Sequence, residues 1–127
     1  MNIYTMQMAK WRKLPEDIQR CDITFMSKDP FLKKNFAPPT YDLIRKMKQN
    51  EISSKTYKEI YLDHLHKNLE ENEKEWIQFL SQDKDVALLC FCTEGVFCHR
   101  FVLGEFLEEV ADAFDLTVSY KGDYQSD

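Results

Sequence analysis

The sequence predicts an α/β fold: a three-layer sandwich on a short, mostly parallel sheet of Rossmann-like or flavodoxin-like type, with helices on both faces. Three observations carry that expectation. The run from Val86 to Cys92 is continuously apolar, as befits a central strand covered on both faces. The segment after it, Cys98 to Leu116, sets Val102, Leu103, Phe106, Leu107, Val110 and Phe114 at helical spacing against Glu105, Glu108, Glu109 and Asp112. Strand-like and helix-like segments also alternate along the chain, which favours parallel pairing.

Taken in order, Asn2 to Met8 alternates around Ile3, Tyr4 and Thr5 and reads as a first, buried strand. Pro15-Glu16-Asp17 can open a helical turn before a second strand, Cys21 to Met26, in which Asp22 and Thr24 would share a face. Ser27 to Pro39 holds Asp29-Pro30 and Ala37-Pro38-Pro39 and is expected to be loop. Thr40 suits the cap of a short helix, Tyr41 to Lys48, burying Leu43, Ile44 and Met47. Ser53 or Ser54 suits the cap of a longer one, on which Tyr57, Ile60, Tyr61, His64, Leu65 and Leu69 recur at helical spacing. After the polar stretch Asn68 to Lys74, Trp76, Ile77, Phe79 and Leu80 fit a third helix or a bent continuation. Thr93 to Phe97 is a short loop, Thr117 to Tyr120 a last strand, and Lys121 to Asp127 a frayed tail.

At 127 residues, 43% hydrophobic and 13% aromatic, the chain has the makings of one domain with its own core, spanning residues 1–127. Its apolar runs are far shorter than the ~20 residues a membrane span needs. The basic residues of the N-terminus follow its apolar stretch, so no secretory signal is read and a cytoplasmic, reducing location is expected. Four cysteines there should be free thiols. The net charge of -5 divides into +5 for residues 1–60 and -10 for residues 61–127. A basic half can attract an anionic ligand or nucleic acid, or simply the acidic half.

Polar residues concentrate where the central strand should end. There the chain reads Cys90-Phe91-Cys92-Thr93-Glu94-Gly95-Val96-Phe97-Cys98-His99-Arg100. In parallel sheets, ligands bind beyond the carboxyl ends of the strands. A helix N-terminus there attracts anions and lowers a thiol's pKa. Four readings follow. Cys98 is a nucleophilic thiolate, with His99 moving protons and Arg100 holding an anion; or the same groups bind a phosphate or nucleotide without covalent chemistry. Alternatively, Cys90, Cys92, Cys98 and His99 hold zinc, against which stands a spacing unlike the paired knuckles of structural sites. Or the cysteines are small core residues, Arg100 pairs with a carboxylate and His99 bonds to backbone. Arg100 lies eight residues after Cys92 and two after Cys98, which does not put thiolate and guanidinium at the two ends of one phosphate loop, so a cysteine phosphatase is not indicated. A rhodanese-like sulfur carrier stays open.

The strand leading into Cys-x-Cys, followed by Gly-x-Phe-Cys-His-Arg at a helix start, resembles domain-of-unknown-function family 488. Ile3-Tyr4-Thr5, Asp22-Ile23-Thr24, Phe36-Ala37-Pro38 and the pair Tyr57 and Tyr61 agree with it in order, so the resemblance covers residues 3–108. It implies a small cytosolic α/β protein of bacteria, archaea and some phages, and no settled reaction. Many members carry Asp-Val-Arg where this chain has Asp22-Ile23-Thr24, so one arginine that could meet a ligand is absent.

The candidate reactive residues are therefore Cys98, His99 and Arg100. Candidate ligand contacts are Asp22, Thr24, Cys92, Thr93, Gly95, Tyr57 and Tyr61, with no metal and no cofactor expected. The expected ligand is small and anionic or nucleotide-like. Whether the chain is an enzyme stays open. The alternative is a regulatory module that binds protein or nucleic acid through Lys10, Trp11, Arg12, Lys13 and Arg20, although no nucleic-acid docking motif surrounds them. The number of chains in the working assembly is not legible in the sequence.

Overall fold

The computed structural model describes residues 1–92 and 98–125. Its sheet has four strands, β1 (Asn2–Gln7), β2 (Gln19–Asp22), β3 (Val86–Cys90) and β4 (Ser119–Asp123), in the order β2-β3-β1-β4. All three pairings are parallel. A 3-10 helix, Met8–Lys13, follows β1; between β2 and β3 come α1 (Pro30–Asn35), α2 (Tyr41–Lys48), α3 (Ser54–Glu71) and α4 (Glu73–Leu80), and α5 (His99–Ala113) links β3 to β4.

The strand alternation sorts the core into two parts. Ile3, Val86, Leu88, Cys90 and Cys21 join the large cluster that includes Phe36, Tyr61, Trp76, Leu103 and Leu107 from the helices. Met6, Ala87 and Leu89 point the other way, onto Leu14 and Ile18 beyond the 3-10 helix. The α-helices thus form one outer layer, and the 3-10 segment with its following turn forms the other. β3 is buried at every position, as its apolar run predicts.

Local chemistry explains where elements begin and end. Asp29 caps α1 by accepting from the Leu32 amide at 3.0 Å, and Pro30 occupies the first turn. This corrects the expectation of loop from Ser27 to Pro39: proline holds Asp29 extended, as a cap requires, and has no amide to leave unsatisfied. Thr40 and Ser53 cap α2 and α3 as expected. β2 starts and stops earlier than the sequence suggests, because the Asp22 carboxylate accepts from the Thr24 amide at 2.9 Å and its hydroxyl at 2.6 Å, turning the chain. Inside the helical layer, Asn35 accepts from the Trp76 indole at 3.0 Å and donates to the Phe31 carbonyl at 3.0 Å. Both side chains are fully buried, so each hydrogen bond replaces water that is out of reach.

β4 takes in Lys121, Gly122 and Asp123, which the sequence assigned to a tail. It carries one extra residue against β1, between the pairs Ile3–Tyr120 and Thr5–Asp123. Gly122 supplies it at φ 76°, a left-handed value that glycine adopts without strain. The bulge delivers the Asp123 carboxylate to Thr5 Oγ1, 2.6 Å away.

Candidate functional site

A pocket of about 470 Å³ opens beyond the carboxyl ends of β2 and β3. Phe25, Tyr41, Met47 and Phe91 give it an apolar wall, Lys48 brings a positive charge, and Cys92, Cys98 and His99 line it at the start of α5. Among the described residues, three of the most exposed large apolar side chains, Met26, Tyr41 and Phe91, belong to it.

Beside this wall, the sulfurs of Cys90, Cys92 and Cys98 all lie within 4.8 Å of one another. Cys90 ends β3, while Cys98 is the N-cap of α5 and makes no capping hydrogen bond through its side chain. Their sulfurs are 2.8 Å apart, closer than ordinary thiol contact and longer than the ~2.05 Å of a disulfide. That separation is also too short for two thiolates held tetrahedrally on one zinc at ~2.3 Å. The arrangement is a cluster of interacting thiols.

Charge in the cluster is shared unequally. The Cys92 thiol is drawn down to about 3, by hydrogen bonds from Cys90 and Cys98 and by the charges of Arg100 and Lys48. Cys98 is pushed far up, by its neighbours Cys90 and Cys92 and by burial. The pull on the shared proton thus runs from the partly exposed Cys92 toward Cys98.

His99 is oriented by backbone. Its Nε2 lies 2.9 Å from the Ile23 carbonyl, which can only accept, so Nε2 carries the proton and Nδ1 presents a lone pair. Nδ1 is 3.6 Å from the Cys98 sulfur. Burial lowers the His99 pKa and keeps the ring neutral. Tyr61 meets this ring edge-on at 5.5 Å, while its hydroxyl donates to the Phe36 carbonyl.

Arg100 is wholly buried. Its Nε and Nη2 each reach one Asp123 oxygen at 3.2 Å, and Nη1 donates to the Cys90 sulfur at 3.1 Å and the Cys92 carbonyl at 3.2 Å. Four of its five N–H groups are thus engaged within the protein. The guanidinium ties β4 to the end of β3 and sets a fixed cation behind the thiols.

The structure thus gathers Thr24, Tyr57, Cys92, Cys98 and His99 around the pocket. Asp22, Tyr61 and Arg100 stand behind it as supports, and Thr93 and Gly95 lie outside the described residues. Sequence reading missed Phe25, Tyr41, Lys48 and Phe91. Their signal would have been apolar side chains left over from the amphipathic patterns: Tyr41 opens α2 on its exposed side, and Phe91 breaks from the buried run of β3.

No curated protein and no solved structure matches the chain. A family model, DUF488-N3a, described as the active DUF488-N3 subclade, matches residues 4–111. That span runs from within β1 through most of α5 and takes in every cysteine. The chain belongs to the DUF488 family.

Proposed function

We propose that the pocket binds a small nucleotide-like ligand and that the Cys92 thiolate acts on it as a nucleophile. A flat ring suits the wall of Phe25, Tyr41 and Phe91, and an anionic group suits Lys48. What carries this reading is a partly exposed thiol, Cys92, at an aromatic-lined pocket, its pKa drawn down by the neighbouring thiols and by Arg100 and Lys48. The description of the matching subclade as active agrees with it. In the reaction, Cys92 Sγ forms a bond to an electrophilic atom of the ligand while the bond to a leaving group breaks. The leaving group departs with the electron pair and takes a proton from water. Cys92 replaces Cys98 as the expected nucleophile because Cys98 is only 2% exposed and its neighbours and burial push its thiol pKa up. Arg100 acts on the thiols and not directly on the ligand.

Alkylation by iodoacetamide at pH 6, with the modified residue assigned by peptide mass, tests the reading. Cys92 should react well ahead of a free cysteine, and a nucleoside monophosphate at millimolar concentration should protect it. Reactivity no greater than that of free cysteine would end the nucleophile reading, and a full nucleotide panel without protection would end the ligand class.

A second reading has one observation of its own. Trp11, 41% exposed, has the guanidinium groups of Arg12 and Arg20 at 5.3 and 5.4 Å from its ring centroid, an aromatic and basic surface that suits single-stranded nucleic acid. Binding of single-stranded RNA that weakens steeply with salt and with Trp11→Ala would favour it.

A further inference from the structure

We propose that the three-cysteine cluster is also a thiol–disulfide exchange centre, in which Cys92 takes up a low-molecular-weight disulfide and Cys90 and Cys98 resolve it as an intramolecular disulfide. The proposal rests on the reading of Cys92 as the accessible nucleophile and goes beyond it. Its basis is geometric. A lone reactive cysteine needs no partners, yet here two further sulfurs stand within 4.8 Å of it. Those two are 2.8 Å from each other, so bonding them at ~2.05 Å requires a shift of less than about 1 Å. They sit on different elements, the end of β3 and the cap of α5, so the bond would pin the strand to the helix beside the pocket.

The exchange balances without any further reactant. The Cys92 thiolate attacks one sulfur of the small disulfide, RSSR; its S–S bond breaks and RS⁻ leaves, giving a mixed disulfide on Cys92. Cys98 Sγ then attacks Cys92 Sγ and expels the second RS⁻, its proton passing to His99 Nδ1 or to the departing thiolate. Cys90 Sγ attacks Cys98 Sγ, returning Cys92 as a thiolate. The Cys90 and Cys98 protons end on the two RSH molecules, so two thiols are oxidised and one disulfide is reduced. Arg100 Nη1, 3.1 Å from Cys90 Sγ, stabilises that sulfur as an anion. It thereby favours both its attack and, in the reverse direction, its departure.

The test treats the reduced full chain with glutathione disulfide and follows mass, released thiol and peptide linkage. The wild type should lose two hydrogens, release two glutathione molecules per chain and yield a Cys90–Cys98 cross-linked peptide. Cys90→Ser and Cys98→Ser, which leave the attacking thiol in place, should each release the first glutathione. Cys92→Ser should slow the first release at least tenfold. Cys21, buried in β2 away from the cluster, should stay reduced throughout. A stable glutathione adduct on Cys92 of the wild type would overturn the proposal. So would a chain purified with one bound zinc whose three thiols react only after chelation. If glutathione disulfide fails while Cys92 is still alkylated rapidly, this proposal falls and the nucleophile reading stands. If Cys92 resists alkylation as well, both fall.

Discussion

Replacing Asp123 by Asn removes the charge that faces Arg100 and keeps an acceptor for Thr5. The guanidinium has no exposed surface, whereas the Asp123 side chain is 27% exposed. Breaking a buried ion pair by removing one partner costs about 3–5 kcal/mol. Because water reaches Asp123, part of that loss is screened, and about 2–3 kcal/mol is the expected destabilisation. For a chain of this length, that corresponds to a fall in Tm of about 10 °C. Urea unfolding, followed by far-UV circular dichroism, measures the free energy directly, and thermal melts give the second readout. The double variant Arg100→Met with Asp123→Asn should regain at least about 1 kcal/mol over Asp123→Asn, because the buried charge left without its partner is then gone. The reasoning fails if Asp123→Asn lies within about 0.5 kcal/mol of wild type, inside the range of ordinary surface substitutions. It also fails if the two substitutions merely add their losses. A link to the site follows from the same geometry: with Arg100 no longer beside Cys90, alkylation of Cys92 at pH 6 should slow.

Other outcomes follow from the same contacts. Burial works to raise the Asp123 pKa, but the bonds from Arg100 and Thr5 outweigh it and hold the carboxyl below its usual range. Its contribution is present above about pH 4 and lost as pH falls below that, so acid unfolding of Asp123→Asn should show a shallower slope below pH 4. Burial depresses the His99 pKa, so its contribution is full above about pH 6.5 and declines as pH falls through that value. The urea midpoint of wild type should drop between pH 7.5 and 5.5, with a smaller drop for His99→Gln; equal drops would remove His99 from the account, leaving His64, also lowered by burial. A Cβ on Gly104 would come 2.5 Å from the Tyr120 ring. Gly104→Ala should therefore cost about 1–3 kcal/mol in denaturant unfolding, and much less in a Tyr120→Leu background if the ring is the obstacle.

Much of the fold was legible because it is written in local patterns. Val86 to Cys90 is apolar at every position, which leaves few environments other than a central strand. Thr40 and Ser53 announce α2 and α3 through side chains that bond amides three residues on. The Asp29-Pro30 pair misled because both a turn and a helix start want that dipeptide, and only packing of Leu32 into the core decides between them. β4 was cut short for a related reason. Lys121, Gly122 and Asp123 have the composition of a tail, and they become strand only because β1 offers an edge and Arg100 waits for the Asp123 carboxylate.

By itself, the sequence determined an α/β protein, the membership of Cys90, Cys92 and Cys98 in one short segment, and the polarity of the strand-to-helix junction they occupy. These depend on neighbours along the chain. Only the tertiary structure decided what the residues of that junction touch. It turned Arg100 inward to Asp123, twenty-three residues on, and His99 to the Ile23 carbonyl, seventy-six residues back. It also brought Lys48 and Tyr41 of α2 to the pocket that Cys92 lines. Those pairings join segments far apart in sequence, and a charge or thiol takes its pKa and its role from whatever folding places within a few ångströms of it.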